Sequence, residues 1–234
     1  MLTIQHNPSP NQGPRPPGVP IDMIILHYTD TIDAASALSI LLDPARKVSA
    51  HYLVQEDGLI RSLVSESQRA WHAGVSAWGN ATDINDRSIG IEIVNPGHSN
   101  GYRPFPEPQM QSLMALVREI VQRYEISPTR VLAHSDVAPQ RKKDPGELFD
   151  WRRLAAEGLA VWPDKVRARD RISPINEIQA KLAKFGYAVP QNGILDNETR
   201  QVIIAFERHF RPHLLSGTPD KESEAVLDAL IASL

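Results

Sequence analysis

The sequence of 234 residues contains no cysteine, which excludes disulfide bonds and thiolate metal ligands. Any metal ion would therefore have to be held by histidine, aspartate or glutamate side chains. The sequence also has no hydrophobic run long enough to span a membrane. Its formal net charge is only -3, and its one dense basic run, 141–143, is followed directly by Asp144. Because nucleic-acid-binding proteins usually carry a clustered basic surface, we expect neither a nucleic-acid partner nor a membrane span.

The overall composition, with 41% hydrophobic and 23% charged residues, is typical of a globular protein. Residues 1–20 are different, because they are rich in proline and contain no apolar core of the length that a signal peptide needs. This segment is predicted to be an extended arm. If the protein is exported, we expect that its leader has been removed or that it uses another route.

Strand and helix patterns alternate between residues 21 and 133, which predicts an α/β fold with a mixed central β-sheet flanked by helices. The predicted strands are 21–26, 49–54, 59–64, 88–94 and 130–133, and the predicted helices are 33–42 and 110–124. The pair 49–54 and 59–64 is separated by Glu-Asp-Gly and is expected to form a hairpin.

Two histidines stand at the ends of predicted strands, His27 after the apolar run 21–26 and His134 after 130–133. His134 also opens a turn-rich loop that contains Lys142 and Asp144. Residues from separate strand ends can converge on a cleft at one edge of an α/β sheet. Since a catalytic zinc site uses three protein ligands and one open position, these side chains predict a metal site.

Glu92 is the other candidate, because it lies in an apolar strand on the face opposite the isoleucines at 89, 91 and 93. A simpler interpretation is that Glu92 pairs with a basic neighbour such as Arg87. Among the other histidines, His51 is interpreted as a core or supporting residue and His72 as part of a cleft wall. The four histidines outside any motif are predicted to lie on the surface, namely His6, His98, His209 and His213.

The composition changes after Trp162-Pro163, and a domain boundary is expected near residue 170. The catalytic domain is therefore assigned to residues 21–170 and a second domain to 171–234. Three helical patterns follow the boundary, opened by Ser173-Pro174, Asp196 and Thr218-Pro219. So short a bundle has a marginal core, which favours an accessory module.

Five separated motifs carry a family resemblance. They are Leu-His-Tyr-Thr at 26–29, Ser-Ala-His-Tyr-Leu-Val at 49–54, Ala-Trp-His-Ala-Gly at 70–74, Ser-Ile-Gly-Ile-Glu at 88–92 and the run 134–146. In this order they resemble the AmpD/AmiD group of zinc N-acetylmuramoyl-L-alanine amidases. The C-terminal segment resembles the three-helix peptidoglycan-binding module, on motifs that include Phe-Gly-Tyr at 185–187.

The resemblance implies that His27, His134 and Asp144 bind Zn²⁺, that Glu92 is the catalytic acid/base, and that Lys142 contacts the reacting carbonyl. The implied reaction is hydrolysis of the amide between the lactyl group of N-acetylmuramic acid and L-alanine of the stem peptide. The implied partner is peptidoglycan or a muropeptide.

The order of the two domains, with the amidase first and the module last, is most similar to the AmiD branch of the family. This resemblance implies action in the periplasm of the bacterial envelope, and the alternative location is the cytoplasm. Two other functions use the same features. The protein could be a non-catalytic peptidoglycan-recognition protein, or a zinc peptidase that cuts within the stem peptide. A complete set of metal ligands together with Glu92 and Lys142 favours an enzyme over a binding protein.

Overall fold

The computed structural model describes residue 2 and residues 4–163 and 166–234. Its strands are β1 Ile4–His6, β2 Gln12–Pro14, β3 Met23–Tyr28, β4 Tyr52–Val54, β5 Ile60–Ser62, β6 Gln68–Ala70, β7 Ser88–Ile93 and β8 Val131–Ala133. Its α-helices are α1 Ala34–Leu41, α2 Gly97–Asn100, α3 Glu107–Tyr124, α4 His134–Val137, α5 Trp151–Ala156, α6 Ile175–Phe185, α7 Asn197–Phe210 and α8 Lys221–Ile231.

Six strands form the central sheet in the order β1-β5-β4-β7-β3-β8. The pair β4 and β5 is antiparallel, and the other neighbours are parallel. Strand β3 lies between β7 and the edge strand β8 and is buried on both faces, as its continuous apolar sequence predicts. The mixed sheet flanked by helices confirms the predicted fold class.

The alternation of side chains along β3 sends them into two separate hydrophobic clusters. Ile24 and Leu26 pack with the apolar stripe of α3 on one face of the sheet. Met23 and Ile25 face the opposite side, in a cluster that also contains the buried side chains of α6, α7 and α8. The C-terminal helices therefore cover one face of the catalytic sheet.

Residues 1–20, predicted as an extended arm, are attached to the domain where the structure describes them. Strand β1 adds to the sheet edge beside β5, and β2 pairs antiparallel with β6. The guanidinium of Arg15 donates hydrogen bonds to the backbone carbonyls of Glu66, Asn85, Asp86 and Ser88 at 2.8 to 3.1 Å. These bonds fix the arm against the segment that precedes β6 and against the start of β7.

The C-terminal helices start close to the predicted positions, but two of the predicted caps are wrong. Asp196 caps α7 as expected, since its side chain accepts a hydrogen bond from Thr199 N. Helix α8 is capped by Asp220 in a capping box with Ser223, so it begins later than the predicted Thr218. Ser173 does not cap α6, because the N-cap residue is Pro174 and the Ser173 hydroxyl accepts a hydrogen bond from Arg169 at 3.2 Å instead.

A tight contact joins the two domains at Gly186, which follows α6. A Cβ atom at this position would lie 2.3 Å from Cε2 of Trp78, and the backbone φ is +142°. The Trp78 ring also contacts Tyr187 and Phe185, with ring centroids 4.8 and 5.8 Å away. Only glycine combines this conformation with this close approach.

In the described part of the chain, no helix is both long and apolar enough to cross a membrane.

We predict that Gly186→Ala lowers the free energy of unfolding by about 2–4 kcal/mol, because it adds backbone strain and overpacks the Trp78 contact. Gly158→Ala is the matched control, since Gly158 also has a positive φ but no described atom lies within 4 Å of its Cβ position. We expect the control to cost about 1–2 kcal/mol. Denaturant unfolding measures both values, and equal losses would contradict a tight domain contact.

Candidate metal centre and active site

Three buried side chains from distant parts of the sequence converge at one edge of the sheet. His27 lies near the end of β3, His134 begins α4 directly after β8, and Asp144 lies in the loop that follows α4. The two Nδ1 atoms are 2.8 Å apart, and each lies 2.9 Å from Oδ2 of Asp144. The structure therefore brings together the three residues predicted as metal ligands.

The backbone determines which nitrogen of His134 faces the other two side chains. Nε2 of His134 lies 3.1 Å from the carbonyl oxygen of Ala73. A carbonyl oxygen only accepts hydrogen bonds, so Nε2 carries the proton. In the neutral ring, Nδ1 then has a free lone pair that points toward His27 and Asp144.

A chain of hydrogen bonds fixes the tautomer of His27 in the same way. The Ser88 hydroxyl donates to the Ile84 carbonyl at 2.7 Å, so it accepts the Nε2 proton of His72 at 3.1 Å. Burial, reinforced by neighbouring His27, lowers the pKa of His72 well below its ordinary value, so its ring is neutral. Nδ1 of His72 accepts the Nε2 proton of His27 at 3.0 Å, which leaves Nδ1 of His27 without a proton.

Three electron-pair donors thus point at one another within the protein interior. Burial, with the adjacent His134, lowers the pKa of His27 to about 4. Buried lone pairs that face each other need a cation between them. Two imidazoles and one carboxylate are a donor set that suits a divalent transition-metal ion such as zinc.

Glu92 lies beside this centre because β7 and β3 pair in register, with Glu92 opposite His27. Its Oε2 atom is buried and has no hydrogen-bond partner among the described residues. Burial, and then the charge of Asp144, raise the pKa of Glu92 well above its ordinary value, while Lys142 opposes this shift. The raised pKa suits the carboxyl group to accepting and then releasing a proton during a reaction.

The simpler interpretation of Glu92 as the partner of Arg87 is wrong. Arg87 forms a two-pronged ion pair with Asp22 instead. Both residues lie at the opposite end of the paired strands from Glu92. Among the residues that the structure describes, no ion pair therefore accounts for the carboxylate of Glu92.

The five predicted site residues line one cavity of about 390 Å³. Lys142 lies on the same loop as Asp144 and is partly buried there. His72 also lines the cavity, as predicted for a cleft wall, but its bond to His27 gives it a second role. His51 lies deeper, where its Nδ1 accepts the N–H of Gly90 at 2.9 Å.

Of the four histidines predicted to lie on the surface, three are exposed and His209 is buried, but the exposed His98 also belongs to the site. His98 lines the cavity and bridges the Tyr28 hydroxyl at 2.8 Å and Glu147 at 3.1 Å. Its position shortly after β7 places it at the same sheet edge as His27, which is the only signal the sequence offers. His209 is fully buried against the catalytic domain. His6 and His213 are exposed, as predicted.

Comparisons with known proteins agree with this geometry. Residues 17–147 match the N-acetylmuramoyl-L-alanine amidase family, and residues 172–227 match a peptidoglycan binding domain family. The chain is 42% identical to the N-acetylmuramoyl-L-alanine amidase AmiD of Escherichia coli, over 90% of this chain and 82% of that protein. It is 31% identical to the 1,6-anhydro-N-acetylmuramyl-L-alanine amidase AmpD of Enterobacter cloacae, over 67% of this chain and 90% of that one.

Solved structures show the same fold. The complex of Escherichia coli AmiD with anhydro-N-acetylmuramic acid-L-Ala-D-γ-Glu-L-Lys has a TM-score of 0.83 at 40% identity, over 93% of this chain and 91% of that one. AmpDH3 from Pseudomonas aeruginosa, in complex with an anhydromuramic pentapeptide, has a TM-score of 0.84 at 34% identity, over 91% of this chain and 92% of that one. The resemblance seen in the sequence motifs is confirmed, and the chain belongs to the N-acetylmuramoyl-L-alanine amidase family of enzymes.

Proposed function

We propose that this protein is a zinc-dependent amidase that hydrolyses the bond between the lactyl group of N-acetylmuramic acid and L-alanine of the stem peptide. The observation that carries the proposal is the convergence of three proton-free donor atoms, from His27, His134 and Asp144, in the cavity that also contains Glu92. The muropeptides bound to the related AmiD and AmpDH3 proteins support the choice of substrate.

His27, His134 and Asp144 would hold the ion, and three protein ligands are the number that catalytic zinc sites use. A zinc ion held there would supply Lewis-acid chemistry, making water more acidic and the substrate carbonyl more electrophilic. Glu92 is the acid/base, because its raised pKa lets it take a proton from the attacking water and deliver it to the leaving amine. Amide hydrolysis needs that second transfer, since an amine leaves only after it is protonated.

Lys142 is assigned to the reacting carbonyl. It is two residues from Asp144, so the loop that anchors the carboxylate also fixes the backbone of Lys142. Its ammonium lines the cavity and is close enough to lower the pKa of Glu92. A fixed cation in this place stabilises the negative charge that develops on the carbonyl oxygen.

We further propose that residues 172–234 bind peptidoglycan and that the protein acts in the bacterial envelope, in the periplasm. The match of residues 172–227 to a peptidoglycan binding domain family supports the first part. The AmiD-like order of the domains supports the second.

The assignment of roles predicts opposite effects of two substitutions. His134→Ala should lose bound zinc, because two remaining ligands hold the ion weakly. Glu92→Gln should keep about one zinc per chain while its turnover falls by roughly 10²- to 10⁴-fold, since it removes only proton transfer. Elemental analysis after dialysis and a peptide-release assay measure the two effects. Zinc loss in Glu92→Gln, or full zinc retention in His134→Ala, would contradict the assignment.

Mass spectrometry of digested anhydro-N-acetylmuramic acid-L-Ala-D-γ-Glu-L-Lys tests the proposed bond. We expect the free sugar and the intact peptide L-Ala-D-γ-Glu-L-Lys, because the amide at the lactyl group is the one cleaved. Shortened peptides still attached to the sugar would identify a peptidase acting within the stem. An unchanged substrate that nevertheless binds to the zinc-loaded protein would identify a recognition protein instead.

A further inference from the structure

A buried aspartate joins the metal centre to the C-terminal domain. Asp136 is the third residue of α4, two residues after His134, and is fully buried. Its Oδ2 accepts hydrogen bonds from Ala133 N at 2.8 Å and from His209 Nδ1 at 2.7 Å. Its Oδ1 accepts one from the Tyr187 hydroxyl at 2.7 Å. A buried carboxylate needs such partners, so these three donors determine where Asp136 lies.

Two of the three donors belong to the C-terminal domain. His209 lies in α7 and Tyr187 follows α6, and both are buried. The His209 ring is stacked between Trp151 of the catalytic domain and Phe210, with ring centroids 3.8 and 3.9 Å away. Its Nε2 has no hydrogen-bond partner among the described residues, so its one polar contact is the bond to Asp136. The ring is held in place by stacking and is directed at the aspartate.

The bond from Ala133 N to Asp136 fixes the first turn of α4, and this turn carries His134. The same turn also holds the third ligand, because Ser135 N donates to the backbone carbonyl of Asp144 at 3.0 Å. A shift of α4 would therefore move one imidazole and one carboxylate at once. Partners outside the ligand set commonly control metal affinity by orienting the ligands.

We propose that His209 and Tyr187 of the C-terminal domain are positioning residues for the metal centre, acting through Asp136 on His134 and Asp144. This inference rests on the proposed role of His134 and Asp144 as zinc ligands. The C-terminal domain would then help to position the metal ligands in addition to binding peptidoglycan. Apolar packing alone would be enough to cover the sheet. The buried contact between His209, Tyr187 and Asp136 costs desolvation of polar groups, so it fixes the geometry of these residues more than it stabilises the fold.

Two substitutions of His209 in the full-length chain separate positioning from packing. His209→Phe keeps an aromatic ring between Trp151 and Phe210 but removes the donor to Asp136. His209→Asn keeps an N–H donor near the position of Nδ1 but loses most of the stacking. Thr199→Val is the matched control, because it also removes a buried hydrogen bond made by a residue of α7, the one that Thr199 accepts from Gln179 of α6, and this bond does not involve Asp136.

The readouts are zinc affinity, from competition with a chromophoric chelator, and the thermal unfolding midpoint of the metal-free chain. The absorption spectrum of the cobalt-substituted protein reports ligand geometry as a third readout. We expect His209→Phe to bind zinc about 10-fold more weakly and to change the cobalt spectrum. His209→Asn should keep zinc affinity close to wild type while its midpoint falls. Thr199→Val should lower the midpoint with no effect on zinc or on the spectrum.

Wild-type zinc affinity in His209→Phe, or affinities that follow the unfolding midpoint across all three variants, would overturn the inference. The proposed ligand set is tested by different measurements, because it predicts that the wild-type protein binds zinc and that His134→Ala does not. If the wild type binds no zinc, both the ligand set and the positioning role are wrong. If it does and His209→Phe behaves like it, only the positioning role is wrong.

Discussion

The parallel register of three adjacent strands is the constraint on which the site depends. Strand β3 pairs with β7 so that His27 lies opposite Glu92, and with β8 so that Leu26 lies opposite Ala133. His134 follows Ala133 directly, so two imidazoles and one carboxylate reach the same edge of the sheet from three segments. A register shift of one residue would send each of these side chains to the wrong face. The burial of β3 on both faces holds this register strongly.

Hydrogen-bond direction then determines the chemistry of that edge. Two carbonyl groups, those of Ala73 and Ile84, accept but cannot donate, and their position decides where the protons of His134, His72 and His27 lie. The proton-free nitrogens are left facing inward as a consequence of the fold. The carbonyl oxygens of Ala73 and Ile84 and the hydroxyl of Ser88, the first residue of β7, thus contribute to the metal centre although they are not ligands.

The sequence predicted most of the site because its residues stand at recognisable places, at the ends of apolar strands and in one turn-rich loop. The predicted helices and strands are all present, with differences of a few residues at their ends, but the short strands β1, β2 and β6 and the short helices α2, α4 and α5 were not predicted. Asp220 rather than Thr218 caps α8, because only Asp220 has Ser223 at the right spacing for a capping box. His209 was wrongly placed on the surface, since its burial depends on contacts with Trp151 and Asp136, far away in sequence. A local sequence pattern does not predict how one domain packs against another.

Crystallography with anomalous scattering at the zinc absorption edge tests the central claim most directly. The account predicts a single strong peak within about 2.0–2.2 Å of the Nδ1 atoms of His27 and His134 and of a carboxylate oxygen of Asp144. Coordination through Nε2 of either histidine, or a zinc peak elsewhere with none between these three side chains, would contradict it.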